Sequence, residues 1–156
     1  MMPRAKFQIL VIPYVIQDEQ IKYCMFLRAD MDVWQFIAGG GEDDETPIEA
    51  AKREANEEAN IAYTTSYYML DTCCSIPVEC FSENDRQRWG EKCFVIPEYS
   101  FAVNVNGADL KLSHEHIKHE WLDYESSRKL LKYDSNKTAL GELNTRIKKG
   151  LLGEKK

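Results

Sequence analysis

Three glutamates, Glu54, Glu57 and Glu58, crowd a segment in which Ile48, Ala51, Ala55 and Ala59 recur at helical spacing. On a helix, Glu54 and Glu58 stand one turn apart and Glu57 follows Glu54 by three residues, so the carboxyls gather beside the apolar stripe. Like charges so spaced oppose one another by about 0.2–0.5 kcal/mol per pair. They also crowd the C-terminal half of the helix, where the macrodipole disfavours anions. Folding alone gives no reason for this arrangement, whereas a hard divalent cation does. Mg2+ takes carboxylate and carbonyl oxygens and leaves positions for water and substrate phosphates. Just upstream stands Gly39-Gly40-Gly41, and glycine lets the backbone approach a ligand closely or adopt positive φ. The chemistry indicated is a cation gripped over a glycine-lined phosphate pocket. A solvated acidic helix face is the alternative that these residues alone leave open.

Charge is concentrated in the same place. From Glu42 to Glu58, eight acids stand against Lys52 and Arg53, and the resulting −6 equals the net charge of the whole chain. That balance disfavours nonspecific binding to nucleic acid or anionic membrane, and the acidic focus beside an otherwise balanced surface suggests a cation site. Apolar residues make up 44% and charged residues 29%, as in a soluble globular protein. No apolar run approaches the roughly 20 residues that span a bilayer. The opening Met1-Met2-Pro3-Arg4 has no secretory apolar core, which predicts a cytoplasmic protein. The cysteines, Cys24, Cys73, Cys74, Cys80 and Cys93, include no C-x-x-C pair and are expected to be reduced thiols. In a strand, Cys73 and Cys74 would face opposite ways, one toward the core. A length of 156 residues predicts one domain spanning 1–156.

The elements that must position the glutamates are readable. Two β-rich runs, Phe7–Ile16 and Ile21–Arg28, flank Gln17–Gln20 and predict a hairpin. Val33–Ala38 is a short apolar segment ending at the glycines. Thr46 is a natural N-cap, Pro47 suits the first helical position and Glu49 completes a capping box, so a helix is predicted over Pro47–Ala59. Asn60 is placed to end it. Further strands are expected near Tyr67–Asp71, Ile76–Glu79, Cys93–Ile96, Phe101–Val105 and Glu120–Leu122. Helices are expected from Asp123 or Tyr124 to about Leu131 and from about Ser135 to Lys149, the latter with Leu140, Leu143, Ile147 and Leu151 as its stripe. Ser82–Glu91 is polar without periodicity and reads as a flexible lid. The order of elements predicts a mixed α/β sandwich.

Gly39, five residues, Glu45, seven residues, then Arg53-Glu54-Ala55-Asn56-Glu57-Glu58-Ala59-Asn60-Ile61 resembles the Nudix box, G-x5-E-x7-R-E-U-x-E-E-x-G-U. Six charged or glycine positions fall in register over 23 residues. The chain departs from the pattern at Asn60 in place of Gly, at Ala55 on an aliphatic position, and at Asp44, where a Gly often precedes the box glutamate. Trp34-Gln35, Pro77 to Phe81, Glu115-His116, Glu120-Trp121-Leu122 and Asp134-Ser135-Asn136-Lys137 look like the branch acting on dihydroneopterin triphosphate or dATP.

The resemblance implies an α/β/α sandwich around a mixed β-sheet and a hydrolase that cleaves a diphosphate bond by water attack on phosphorus. It implies Mg2+, with Mn2+ as the alternative ion, held by Glu54, Glu57, Glu58, the Ala38 carbonyl and Glu115. Glu54, Glu57 and Glu115 are the implied catalytic carboxylates, Arg53 orients them, and Glu45 supports Arg53. Gly39 and Gly40 would face the phosphates. Arg28 is a candidate phosphate contact or simply an exposed arginine at a strand end. Trp34 and Phe36 are candidates to stack on a base or pterin, with core packing as the alternative. His114, His116 and His119 do not share one strand face, so a zinc site is not expected. A nucleotide or pterin triphosphate is the expected substrate, and a homodimer is left open. Hydrolysis of a dinucleoside polyphosphate, nucleotide sugar or ADP-ribose is the first alternative. A non-catalytic ligand sensor is less favoured, since every box glutamate is present.

Overall fold

The computed structural model describes residues 3–106 and 116–153. The chain runs β1 (Arg4–Gln17), β2 (Gln20–Arg28), β3 (Trp34–Gln35), β4 (Ile37–Glu42), α1 (Pro47–Ala59), β5 (Tyr67–Pro77), a 3-10 turn (Val78–Cys80), α2 (Glu83–Trp89), β6 (Val95–Asn104), β7 (His116–Leu122), α3 (Tyr124–Leu130) and α4 (Asp134–Lys149). The strands form a seven-stranded sheet in the order β3-β2-β1-β6-β5, with β4 also pairing β1 and β7 pairing β2. β1 runs parallel to β6 and antiparallel to β2 and β4, so the sheet is mixed.

β1 explains why the sheet is covered on both faces. Ile9 through Val15 are all buried, a continuous apolar run of the kind a central strand carries. Ile9 and Val11 pack with Ala51, Ala55 and Ala59 of α1 on one face. Leu10 and Ile12 pack with Leu140 and Leu143 of α4 on the other. Side-chain alternation along the strand sends neighbours to opposite layers, and the result is the expected α/β/α sandwich.

The hairpin forms with a tighter turn than the sequence suggests. Pairing continues to Gln17 and Gln20, leaving Asp18 and Glu19, both at positive φ, to reverse the chain. α1 has the predicted bounds. Thr46 and Glu49 make both hydrogen bonds of the capping box, and Asn60 closes the helix in the left-handed region at φ 60°.

Other expectations are corrected. Gly39-Gly40-Gly41 lie inside β4, paired with β1, and none has positive φ. Tyr67–Pro77 is one long strand rather than two short ones. Ser82–Glu91 is largely helical: Ser82 caps α2 by accepting from the Asp85 amide, and Trp89 is buried. Its polar residues face outward on a short helix, which hides the periodicity. Leu151 falls beyond α4 and is exposed rather than part of the apolar stripe. Cys73 is exposed and Cys74 half-buried, so neither reaches the core; they lie on β5, at the end of the strand order. All five cysteines are free thiols. Among the described residues no helix is long and apolar enough to cross a membrane.

Candidate active site

Arg53 ties α1 to the strand in front of it. Its Nε donates to Glu45 Oε2 at 2.8 Å and its Nη2 to Glu45 Oε1 at 3.1 Å. Nη2 also donates to the Gly40 carbonyl at 3.0 Å, while Nη1 donates to Glu54 at 3.0 Å and Glu57 at 3.2 Å. The planar guanidinium carries donors for several acceptors at once, which a lysine lacks. Its bonds to Glu45 raise the Arg53 pKa further. Burial pushes the Glu45 pKa up, but hydrogen bonds from Arg53 and from the Glu42 amide outweigh it and hold the Glu45 carboxyl below its ordinary value. The loop that delivers Glu45 turns at Asp44, with φ at 76°, the left-handed conformation for which glycine is preferred and Asp tolerated.

Each glycine of β4 has a side chain packed directly on it. A Cβ on Gly39 would come within 2.6 and 2.7 Å of the two Glu54 carboxylate oxygens, one on Gly40 would strike the Arg4 guanidinium, and one on Gly41 the Phe7 ring. The need is therefore for close approach rather than unusual φ. Arg4, which the sequence reading passed over, is held over Gly40 by Gln8 at 3.2 Å and by Asp85 at 3.6 Å.

A cavity of about 530 Å3 opens here, lined by Arg28, Ala38, Gly39, Gly40 and Glu54 together with Gln35 and Glu98. Five of the residues singled out from the sequence thus converge. A wider depression of about 770 Å3 along Lys6 and Trp89–Val95 holds none of them. Arg28 is anchored by two 2.8 Å hydrogen bonds to Asp30. Trp34 does not line the cavity; it packs partly buried against the α4-side core, with the Lys118 ammonium 5.6 Å from its ring centre. Phe36 is fully buried in that core, so packing and not stacking is its role. Glu58 is buried, with 3% of its surface exposed, while the Glu57 side chain is 56% exposed and turned to Arg53. Desolvation pushes the Glu57 carboxyl up, Arg53 opposes this, and the Glu54 and Glu42 carboxylates add to the rise.

The donors offered to a cation are all oxygen, which suits Mg2+ or Mn2+. The Gly39 cradle keeps the Glu54 carboxyl pressed against the backbone next to Ala38. Among the described residues no three acidic, His or Cys side chains are already gathered into a cation cage, and Arg53 bonds both Glu54 and Glu57. Glu115 and His114 lie outside the described residues, and His119 sits on β7 with its ring 6.4 Å from that of Phe26. Gln35 and Glu98 were missed as individual site residues. The signal for Glu98 was a single acid within the apolar run Val95–Phe101.

Residues 10–140 match the NUDIX domain family. The dihydroneopterin triphosphate diphosphatase of Escherichia coli strain K12 is 31% identical over 133 residues, 85% of this chain and 87% of that protein. A NUDIX hydrolase of Listeria monocytogenes str. 4b F2365, solved by crystallography, superposes with a TM-score of 0.84 at 43% identity, covering 94% of this chain and 97% of that one. The E. coli dihydroneopterin triphosphate pyrophosphohydrolase superposes with a TM-score of 0.72 at 25% identity, covering 92% and 99%. A match of this extent agrees with what the Gly39–Ile61 segment suggested on its own: the chain belongs to the NUDIX domain family and is a hydrolase of that family.

Proposed function

We propose that the chain hydrolyses a diphosphate bond of a nucleoside triphosphate-like substrate, of the dATP or dihydroneopterin triphosphate type, releasing pyrophosphate. The observation that carries this reading is the cavity in which the Glu54 carboxyl lies on the Gly39 backbone beside Gly40 and Arg28. Relatives that bear the dihydroneopterin triphosphate diphosphatase name over most of their length support the substrate class.

Hydrolysis of a phosphoanhydride asks for charge neutralisation and positioning more than for a protein nucleophile. Glu54, Glu57, Glu58, the Ala38 carbonyl and Glu115 are the oxygens proposed for the Mg2+ or Mn2+ ion. Such an ion supplies charge neutralisation on the phosphate oxygens and acidifies water. Gly39 and Gly40 admit the phosphates close to the backbone, and Arg28 and Arg4 offer positive charge at the same cavity. Water attacks phosphorus, the bridging P–O bond breaks, pyrophosphate leaves with the bridge oxygen, and the water's proton passes to a carboxylate, with Glu57 and Glu115 as candidates. Arg53 and Glu45 are positioning residues: they act through the glutamates they hold.

The test is a panel of nucleotides and dihydroneopterin triphosphate assayed with Mg2+, with products identified. Pyrophosphate plus a monophosphate is expected, and replacing Glu57 and Glu58 together by Gln should abolish turnover. Wild-type rates in that double variant, or products other than pyrophosphate, overturn the proposal.

A further inference from the structure

Two buried polar groups in the cavity have nothing to bind. Gln35 and Glu98 are each 5% exposed, and among the described residues Gln35 Nε2 and Glu98 Oε1 have no hydrogen-bond partner. Buried polar groups are paired in the great majority of cases, so two orphans lining one cavity call for a partner that is not protein. We propose that Gln35 and Glu98 read the ring of the substrate, Gln35 donating to a ring acceptor and Glu98 accepting from an adjacent ring N–H or amino group. The assignment rests on the triphosphate reading above.

Glu98 is held for this task. Burial raises the Glu98 pKa and the neighbouring Ser135 side chain opposes the rise; Asn136 Nδ2 donates to Ser135 Oγ at 3.3 Å, and Asn136 Oδ1 in turn accepts from the Phe36 amide at 2.9 Å. The chain of bonds therefore begins at the residue next to Gln35 and reaches Ser135 beside Glu98, so both polar groups are referred to one frame. It also gives a role to the Ser135-Asn136 pair at the start of α4.

The chemistry selects the ligand. The Arg4 guanidinium lies over Gly40, so the triphosphate is placed at that end of the cavity and Glu98 is left to the ring. Ile76, Phe81 and Tyr133 add apolar and aromatic wall to the same cavity, as a flat heterocycle requires. A donor beside an acceptor is complementary to two edges: the lactam N–H/C=O of guanine or a pterin, and the amidine N/NH2 of adenine. The cavity volume of about 530 Å3 accommodates a fused two-ring system.

The experiment is binding without turnover. Titration calorimetry on the full chain without added metal uses dAMP, dGMP, neopterin monophosphate and, as a control that lacks the heterocycle, ribose 5-phosphate. The wild type should bind at least one ring-bearing ligand more tightly than ribose 5-phosphate, and which one separates lactam from amidine recognition. Gln35→Leu and Glu98→Met should each weaken that ligand about 10–100-fold and leave ribose 5-phosphate unaffected. Both variants should keep the circular dichroism of the wild type, so that a selective loss of ring binding reports recognition and not unfolding. Unchanged ring binding in both variants, or an equal loss toward ribose 5-phosphate, overturns the proposal. Ring binding that depends on the pair in a protein that hydrolyses no triphosphate would sustain it and overturn the proposed function instead.

Discussion

Glu45 grips Arg53 at two points, 2.8 Å from Nε to Oε2 and 3.1 Å from Nη2 to Oε1, and the same guanidinium reaches Glu54 at 3.0 Å. The α1 helix is thereby locked to the loop before it and to the β4 backbone. Arg53→Lys keeps the charge and loses the fork. We expect kcat to fall about 100-fold, as for a misplaced catalytic group, and stability to fall by about 1–3 kcal/mol from unpaired acceptors. Steady-state kinetics and denaturant unfolding check both; a variant with wild-type kcat would show that the fork does not set the glutamates' positions.

Gly39→Ala tests the cradle directly. The added methyl occupies the place of the Glu54 carboxyl, and that flexible side chain must swing away. Turnover should drop by about 100-fold while circular dichroism stays that of the wild type. An active Gly39→Ala enzyme would show that Glu54 does not act from this position.

The Glu45–Arg53 contact also fixes a pH dependence. Glu45 has a folded-state pKa depressed below its ordinary 4.5, so its contribution to stability is present above that value and lost as the pH falls through the lower, folded one. The stability gap between wild type and Glu45→Gln should therefore be constant from neutral pH down to about 5 and shrink below it. Urea midpoints measured across that range decide; a gap that widens on acidification contradicts the pairing.

Asn136 is expected to matter for folding before it matters for chemistry. Its Oδ1 is the acceptor for the buried Phe36 amide at 2.9 Å, across 100 residues of sequence. Asn136→Leu leaves that N–H unsatisfied and should cost about 1–3 kcal/mol, read as a lowered urea midpoint. Unaltered stability would mean that water replaces the side chain.

The local features were legible in the sequence because their causes are local. The capping box of Thr46 and Glu49, Pro47 at the first turn, the alanine stripe and Asn60 lie within 15 residues of one another, and each acts on its immediate neighbours. The hairpin, the two C-terminal helices and the acidic cluster followed the same logic, and the box spacing pointed to the family. What faces what was decided only by the tertiary structure. The sequence reading set the three glycines before the helix as a feature of the phosphate pocket, yet they lie in a strand, and their necessity comes from Glu54, Arg4 and Phe7 packing on them from elsewhere. Trp34 could either stack on a ring or pack in the core on sequence alone; β3 turns it toward the α4 side of the core and leaves its neighbour Gln35 to line the cavity. Glu98 acquires its meaning from Ser135 on another element. A buried polar side chain is specified by its partner, and where that partner lies far along the chain no local pattern reveals it.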